Sequence, residues 1–289
     1  MSAPASPRVF SERKDSPVAK APDIATPVGG PQTLTFTQLI DLSVGIIPGA
    51  AHEPWKPSVH YLTHEGDGLD WMLKTFGNTP DDLVWSQGQG PAFEEVTTLP
   101  HAGTHVDAPW HYGADSEGKP ARRIDECPLE WFFSDGVRLD VRHRGPNEKI
   151  EIPDLERALE QIDYTLKPFD IVMIWTGCDS KLGSAEYFEQ PGMTRASTLW
   201  LVEQGIKVIG VDMYGFDRKF QDMADDFERT GDGSIIWEAH FAGIDREYCQ
   251  IEKLVNLGAL PRAHGFKVAC FPVKVENASA GWARPVAFV

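Results

Sequence analysis

The stretch "LPHAGTHVDAPWHYG", Leu99 to Gly113, sets the sharpest limit on how this chain folds. It places His101, His105, Asp107 and His111 within eleven residues of a chain that has nine histidines in all. Regular structure does not bring these side chains together. A helix would put His101 and His105 on one face, but Gly103, the β-branched Thr104 and Val106, and Pro109 all oppose a helix here. On a strand, positions 101, 105 and 107 share a face, yet the two imidazoles would lie roughly 13 Å apart at ~3.3 Å per residue. Ligands of one metal ion must sit about 2.0–2.2 Å from it. A sharp turn at Gly103, which has no Cβ to oppose it, would fold the pair together.

The donor chemistry is that of a metal site. Two imidazoles and one carboxylate suit Zn²⁺, Mn²⁺ or Fe²⁺. The absence of a nearby cysteine argues against a closed structural zinc site. Three ligands leave a position for water, and a divalent cation lowers the pKa of that water toward neutrality. His111 follows four residues after Asp107, past the break at Pro109, and reads as a general acid or base rather than a fourth ligand. The competing reading is three ordinary polar histidines; their crowding around an aspartate weighs against it. Thr104 reads as a hydroxyl that stabilises the turn.

The rest of the chain bounds the class of protein. Hydrophobic residues make up 42% of the 289, with nine Trp and fifteen Phe, enough for a sizeable core. A net charge of −16 argues against nucleic acid, whose phosphates reward clustered Lys and Arg. Apolar runs such as "IVMIWTG" are far short of a membrane span, and no basic amphipathic helix suggests a membrane surface. The N-terminus lacks an apolar signal core, so a cytoplasmic location is expected. Cys127, Cys178, Cys249 and Cys270 are widely spaced with no CxxC pair, and free buried thiols are expected. Residues 1–32, rich in Pro, Ala and Ser, read as a disordered or draping arm, and 33–289 as the folded domain.

Beyond residue 130 strand and helix signals alternate, which makes the class α/β. "GVRLDVR" aligns Val137, Leu139 and Val141 on one strand face. "IPDLERALEQI" spaces Leu155, Leu159 and Ile162 along a helix with Pro153 in its first turn. "DIVMIWTG" and "IKVIGVD" read as strands buried on both faces. "TRASTLWLVEQG" is a helix with Thr194 as N-cap and Gly205 as its stop. "FKVACFPVKVE" is a late strand interrupted by Pro272. Residues 50–98, rich in Gly, Pro and Trp, read as long loops that serve a site or an interface.

The motif "HAGTHVDAPWH" resembles the H-x-G-T-H-x-D-x-P-x-H signature of the cyclase family of metal-dependent hydrolases, which includes bacterial kynurenine formamidases and isatin hydrolases. "IDLSVGI" and "DIVMIWTG" with the following "EYFEQPGMTRASTLWLVEQGIKVIGVD" are similar to other family segments, so the resemblance covers about residues 36–289. It implies that His101, His105 and Asp107 bind a divalent metal, Zn or Mn, and that His111 is the catalytic acid/base. It also implies that His240 and Glu252 complete the ligands, for one or two ions per chain, with Asp245 and Glu247 as rival carboxylates to Glu252. One continuous helix would hold these two about 18 Å apart at ~1.5 Å per residue, so a turn is expected between them, at Gly243. The implied fold is a single compact α/β domain with a barrel-like mixed β-sheet surrounded by helices, assembled as a homodimer or homotetramer.

The activity this implies is attack by metal-activated water on an amide, imide or ester carbonyl of a small molecule. Greater length, the arm and the Trp-rich segment set this chain apart from the compact formamidases. That favours a cyclic amide, imide or lactone over N-formylkynurenine, the alternative substrate. A metal-dependent lyase or isomerase, and a metal-binding protein without turnover, are the readings from other classes. Trp110, Trp85 and Trp55 are candidate aromatic walls of a substrate pocket, though each could equally pack in the core. Asp212 and Asp217, which follow a buried strand, read as loop caps.

Overall fold

Nine short strands form one mixed sheet, and their order explains where the histidine motif ends up. In chain order they are β1 (Leu39–Asp41), β2 (His105–Asp107), β3 (Phe133–Asp140), β4 (Ile171–Trp175), β5 (Val208–Val211), β6 (Cys249–Glu252), β7 (Phe266–Ala269), β8 (Ala280–Trp282) and β9 (Val286–Phe288). Across the sheet the order is β1-β9-β7-β3-β4-β5-β6-β2-β8. The central β3-β4-β5-β6 block is parallel and every other pairing is antiparallel. The sheet curls into a half-barrel. The structure is a computed structural model that describes residues 34–289, and the folded body spans Phe36–Val289. The arm expected at residues 1–32 lies outside the described residues.

The parallel block confirms the continuous apolar runs as strands covered on both faces. In β4, Val172 and Ile174 join one core with Val137 and Leu139 of β3 and Ile209 and Val211 of β5. Ile171 and Met173 point the other way, into a second core with Val208, Ile251, Val106 and Val268. Alternate side chains of a strand face opposite sides of the sheet, so a strand between two cores has no polar face to show.

Helices are few among the described residues: α1 (Asp67–Phe76), α2 (Pro109–Tyr112), α3 (Ile152–Gln161), α4 (Arg195–Glu203), α5 (Phe220–Thr230) and α6 (Ala242–Asp245). Leu155 and Leu159 of α3 and Leu201 of α4 close the first core. Pro153 lies in the first turn of α3, where its missing N–H costs no helical bond. Thr194 caps α4 by accepting the Ser197 N–H, and Gly205 ends the segment at a φ of 90° that favours glycine. Strand β7 stops at Ala269, ahead of Pro272. The four cysteines are buried and free. Among the described residues no helix is long and apolar enough to cross a membrane.

The expectation for residues 50–98 needs correction. This segment carries an antiparallel strand pair, Ser58–Leu62 with Phe93–Thr97, and helix α1 between them. Every residue of "FEEVT" is exposed, so neither strand face is apolar and no period-2 signal marks it.

Candidate metal centre and active site

Strand β2 carries the motif into the sheet. It lies between β6 and β8, with His105 directly opposite Glu252, Val106 opposite Ile251 and Asp107 opposite Gln250. Val106 therefore packs into the second core, while His105 and Asp107 share the other face with Glu252. The turn before the strand is made at Gly103, whose φ is 63°. A Cβ there would meet Ile46 Cγ1 and the Val44 carbonyl oxygen at 3.3 Å, so glycine is needed for conformation and for space. The turn brings His101 back, and its Nδ1 lies 2.8 Å from Asp107 Oδ1. Pro109 then starts the single helical turn α2, which presents His111 to the same space. The rings of His101 and His111 are 4.2 Å apart, centroid to centroid.

His240 and Glu252 do come together, but the chain reverses differently from the turn expected at Gly243. Gly243 has no positive φ; it sits inside α6, and a Cβ there would come within 2.1 Å of the Tyr112 ring. The reversal is made by α6 as a whole, and Gly243 is required so that Tyr112 can pack on it. His240 Nε2 then lies 3.4 Å from Glu252 Oε1. His105 Nε2 lies 3.3 Å from Asp107 Oδ1 and 3.5 Å from Glu252 Oε2. Asp107 is central: ligand atoms of His105, Asp107 and Glu252 all fall within 4.8 Å of one another, as do those of His101, Asp107 and His111.

Hydrogen bonds behind these groups set which atoms face inward. His105 Nδ1–H donates to the Gly103 carbonyl at 2.9 Å, which leaves Nε2 toward the carboxylates. His240 Nδ1–H donates to Asp217 Oδ2, which leaves its Nε2 toward Glu252. Histidines backed in this way by a carbonyl or a carboxylate are the usual form of metal-ligating imidazoles. His105 Nε2, Asp107 Oδ1 and Glu252 Oε1 are buried and make no hydrogen bond. Buried polar atoms without a hydrogen bond are rare and costly, and three within one histidine–carboxylate cluster fit a divalent cation held by mixed nitrogen and oxygen donors.

Electrostatics agree. Burial alone would raise the Asp107 carboxyl, but His101, His111 and His105 hold it well below the usual carboxylate range. Glu252 is pushed up by burial and by Asp107, yet His105 and His240 bring it down to about 2. Burial works against a charged His105, and Asp107 with Glu252 overcomes it, raising the group to about 9. Such a site binds positive charge, which protons or a cation can supply. His111 differs: burial lowers it to about 4, against the pull of Asp107, so its imidazole is neutral near pH 7.

A cavity of about 180 Å³ opens over these groups, and His101, His111, His240 and Glu252 form its floor. Its walls are mainly Trp55, Tyr214, Phe220 and Trp237. Of the three tryptophans expected as walls, Trp55 lines the cavity, although it is 60% exposed. Trp110 does not line it. Its neighbour His111 takes the inward face of the short helix, and the Trp110 ring instead lies under the Arg123 guanidinium at 4.5 Å. Trp85 is 99% exposed in a turn and does not line it either. Trp237 went unnoticed in the sequence. It stacks on His240 at 4.5 Å with the rings 17° from parallel; its place three residues before His240 was the available signal. Asp217 does cap a loop, accepting the Ala239 and His240 N–H groups, but the same carboxylate also orients the His240 ring. Asp212 is a loop cap as expected, accepting from Thr176 and Gly177.

Fold and site together define a class: a curled mixed sheet presenting a buried histidine–carboxylate cluster on one face. Residues 40–218 match the family model described as Putative cyclase, and the chain belongs to that family. The kynurenine formamidase of Erythrobacter litoralis is 24% identical over 207 residues, covering 71% of this chain and 82% of that protein. The kynurenine formamidase of Bacillus cereus is 29% identical over 149 residues, 49% of this chain and 62% of the relative, so less than two thirds of that protein is spanned. Among solved structures, an isatin hydrolase bound to the product analogue thioisatinate superposes with a TM-score of 0.66 at 20% identity, over 87% of this chain and 92% of that one. Isatin hydrolase A from Labrenzia aggregata, bound to benzyl benzoate, gives a TM-score of 0.65 at 20% identity, over 87% and 93%. At that identity the superpositions establish the fold.

Proposed function

We propose that this protein is a metal-dependent hydrolase that opens a cyclic amide, imide or lactone by attack of water on its carbonyl. The observation that carries this reading is the buried meeting of His105, Asp107 and Glu252, with polar atoms that make no hydrogen bond, under an aromatic cavity that His111 also lines. His101, His105, Asp107, His240 and Glu252 would hold the cation, zinc or manganese, as one ion or two. When bound, a divalent cation supplies Lewis acidity to water and to the carbonyl oxygen.

The chain supplies the rest. His111, neutral near pH 7, accepts the proton of the attacking water and returns one to the leaving nitrogen or oxygen. Asp217 and Trp237 fix the plane of the His240 ring. Trp55, Tyr214, Phe220 and Trp237 offer apolar walls to a flat substrate and limit the water around it.

The named activity of the formamidase relatives supports a second reading, hydrolysis of an aryl formamide such as N-formylkynurenine. The cavity favours the first. Lys253, the one lysine among the described residues that line it, is paired with Glu53, so an amino-acid carboxylate finds no free ammonium there. The deciding experiment is metal analysis of protein purified without added metal, with a hydrolysis screen of isatins, imides, lactams, lactones and formylanilides in ¹⁸O water. Metal in the protein and ¹⁸O in a ring-opened product support the proposal. Faster turnover of formylanilides selects the second reading, and product without ¹⁸O points to a lyase or isomerase. A metal-loaded protein inert to the whole panel sinks it.

A further inference from the structure

The residue after Glu252 breaks the alternation of the strand it ends. Successive side chains along a strand face opposite sides, so Lys253 should turn away from the cavity that Glu252 lines. Both line it. The cause is a backbone φ of 60° at Lys253, a left-handed conformation unfavourable for a residue with a side chain. The chain bulges there, with Lys253 N–H bonded to the Met213 carbonyl and Leu254 N–H to the Val211 carbonyl, each at 2.9 Å.

The bulge aims the lysine at the histidine turn. Lys253 Nζ donates to the His101 carbonyl at 2.8 Å and to Glu53 Oε2 at 2.7 Å. The other oxygen of Glu53 accepts the Gly103 N–H at 2.7 Å. The Lys253 carbonyl accepts the Thr104 hydroxyl at 2.6 Å, and that hydroxyl accepts the Val44 N–H at 2.8 Å. Residues 53 and 253 thus hold His101, Gly103 and Thr104 at once. Both side chains are buried, and they lie 200 positions apart in the sequence. A buried ion pair is a weak source of net stability, because desolvation opposes its attraction. What this pair does hold is the spacing between the turn that carries His101 and the strand end that carries Glu252.

We infer that Lys253 and Glu53 are positioning residues for the cation site, setting the distance at which the donors of β2 and its preceding turn meet Glu252. This rests on the reading of those donors as cation ligands. The test uses full-length protein stripped of metal and titrated with Co²⁺, whose visible absorption reports ligand geometry. The variants are E53Q/K253M, which removes both charges together, and E53D alone, which keeps both charges but shortens the reach between Lys253 and the Gly103 N–H. The double variant is expected to bind Co²⁺ about 10- to 100-fold more weakly, with an altered absorption band. Its metal-free unfolding midpoint should stay close to that of the parent, since neutral replacement of a whole buried pair is often tolerated. E53D should fall between the two. A folded double variant with parental affinity and spectrum overturns the inference and leaves the pair a packing feature. Should the double variant not fold, E53D, which keeps the ion pair, decides, and unchanged affinity and spectrum overturn the inference. If the parent protein binds no Co²⁺, the cation reading itself fails, and the inference with it.

Discussion

His111 separates itself from the other histidines by its surroundings. His105 and His240 sit against carboxylates that raise them to about 9 and about 10, overcoming burial, whereas burial lowers His111 to about 4. The first two are placed to hold positive charge and the third to move a proton. His111→Ala should therefore lower kcat by about 10²- to 10⁴-fold while the metal content of the purified protein stays near that of the parent. Because ligand atoms of His111, His101 and Asp107 also lie within 4.8 Å of one another, the metal measurement is the discriminating one: parallel loss of metal and activity makes His111 a ligand.

At the scale of elements, short segments do the positioning. β2 has three residues, and the turn before it depends on Gly103. Gly103→Ala must accept a φ of 63° and a Cβ 3.3 Å from Ile46 and from the Val44 carbonyl. We expect a loss of about 1–3 kcal/mol in stability, read by denaturant unfolding, together with weaker metal binding; an unchanged protein would show that the turn has slack. Helix α3 provides an independent test away from the site. The buried Asp154 accepts the Glu151 N–H and bonds to Arg144 and His143. Burial would raise its carboxyl, but these donors hold it below the ordinary value of 3.8. A lowered carboxyl stabilises the fold above its unfolded-state pKa, and that contribution disappears as pH falls through the lower folded-state value. Asp154→Asn should cost about 1.5–3 kcal/mol at neutral pH and flatten the stability profile below about pH 4, as followed by urea unfolding across pH. A parallel profile for parent and variant would contradict this.

At the scale of the whole molecule, the site joins parts of the chain that are distant in sequence. The turn at 101–104 and β2, the β5–α5 connection with Asp217, the α6 region with His240, and β6 with Glu252 all meet there. A cation bound among them ties these segments together, so it stabilises the fold as a ligand of the native state. Chelation should lower the thermal midpoint, and metal at about 100 times its Kd should restore about 2.7 kcal/mol, measured by calorimetry with and without chelator. A midpoint indifferent to chelator and added metal would separate the cluster from folding stability.

Much of this was legible in the linear chain because its cause is local. The buried strands announce themselves as apolar runs, α3 and α4 by period and cap, and the turn at Gly103 by the conflict between ligand spacing and regular structure. His101, His105, Asp107 and His111 lie within eleven residues, so one turn, one short strand and a single helical turn suffice to gather them. What the sequence could not specify depends on registers and contacts between distant segments. That His105 faces Glu252 is a pairing of β2 with β6 across more than a hundred residues. That Trp237, rather than Trp85 or Trp110, stacks on a site histidine is decided by where each ring packs in the assembled fold. That Glu53 and Lys253 grip the turn requires a bulge no periodicity foretells. Propensity and spacing act over a few residues, whereas these choices are made by packing, which only the assembled sheet defines.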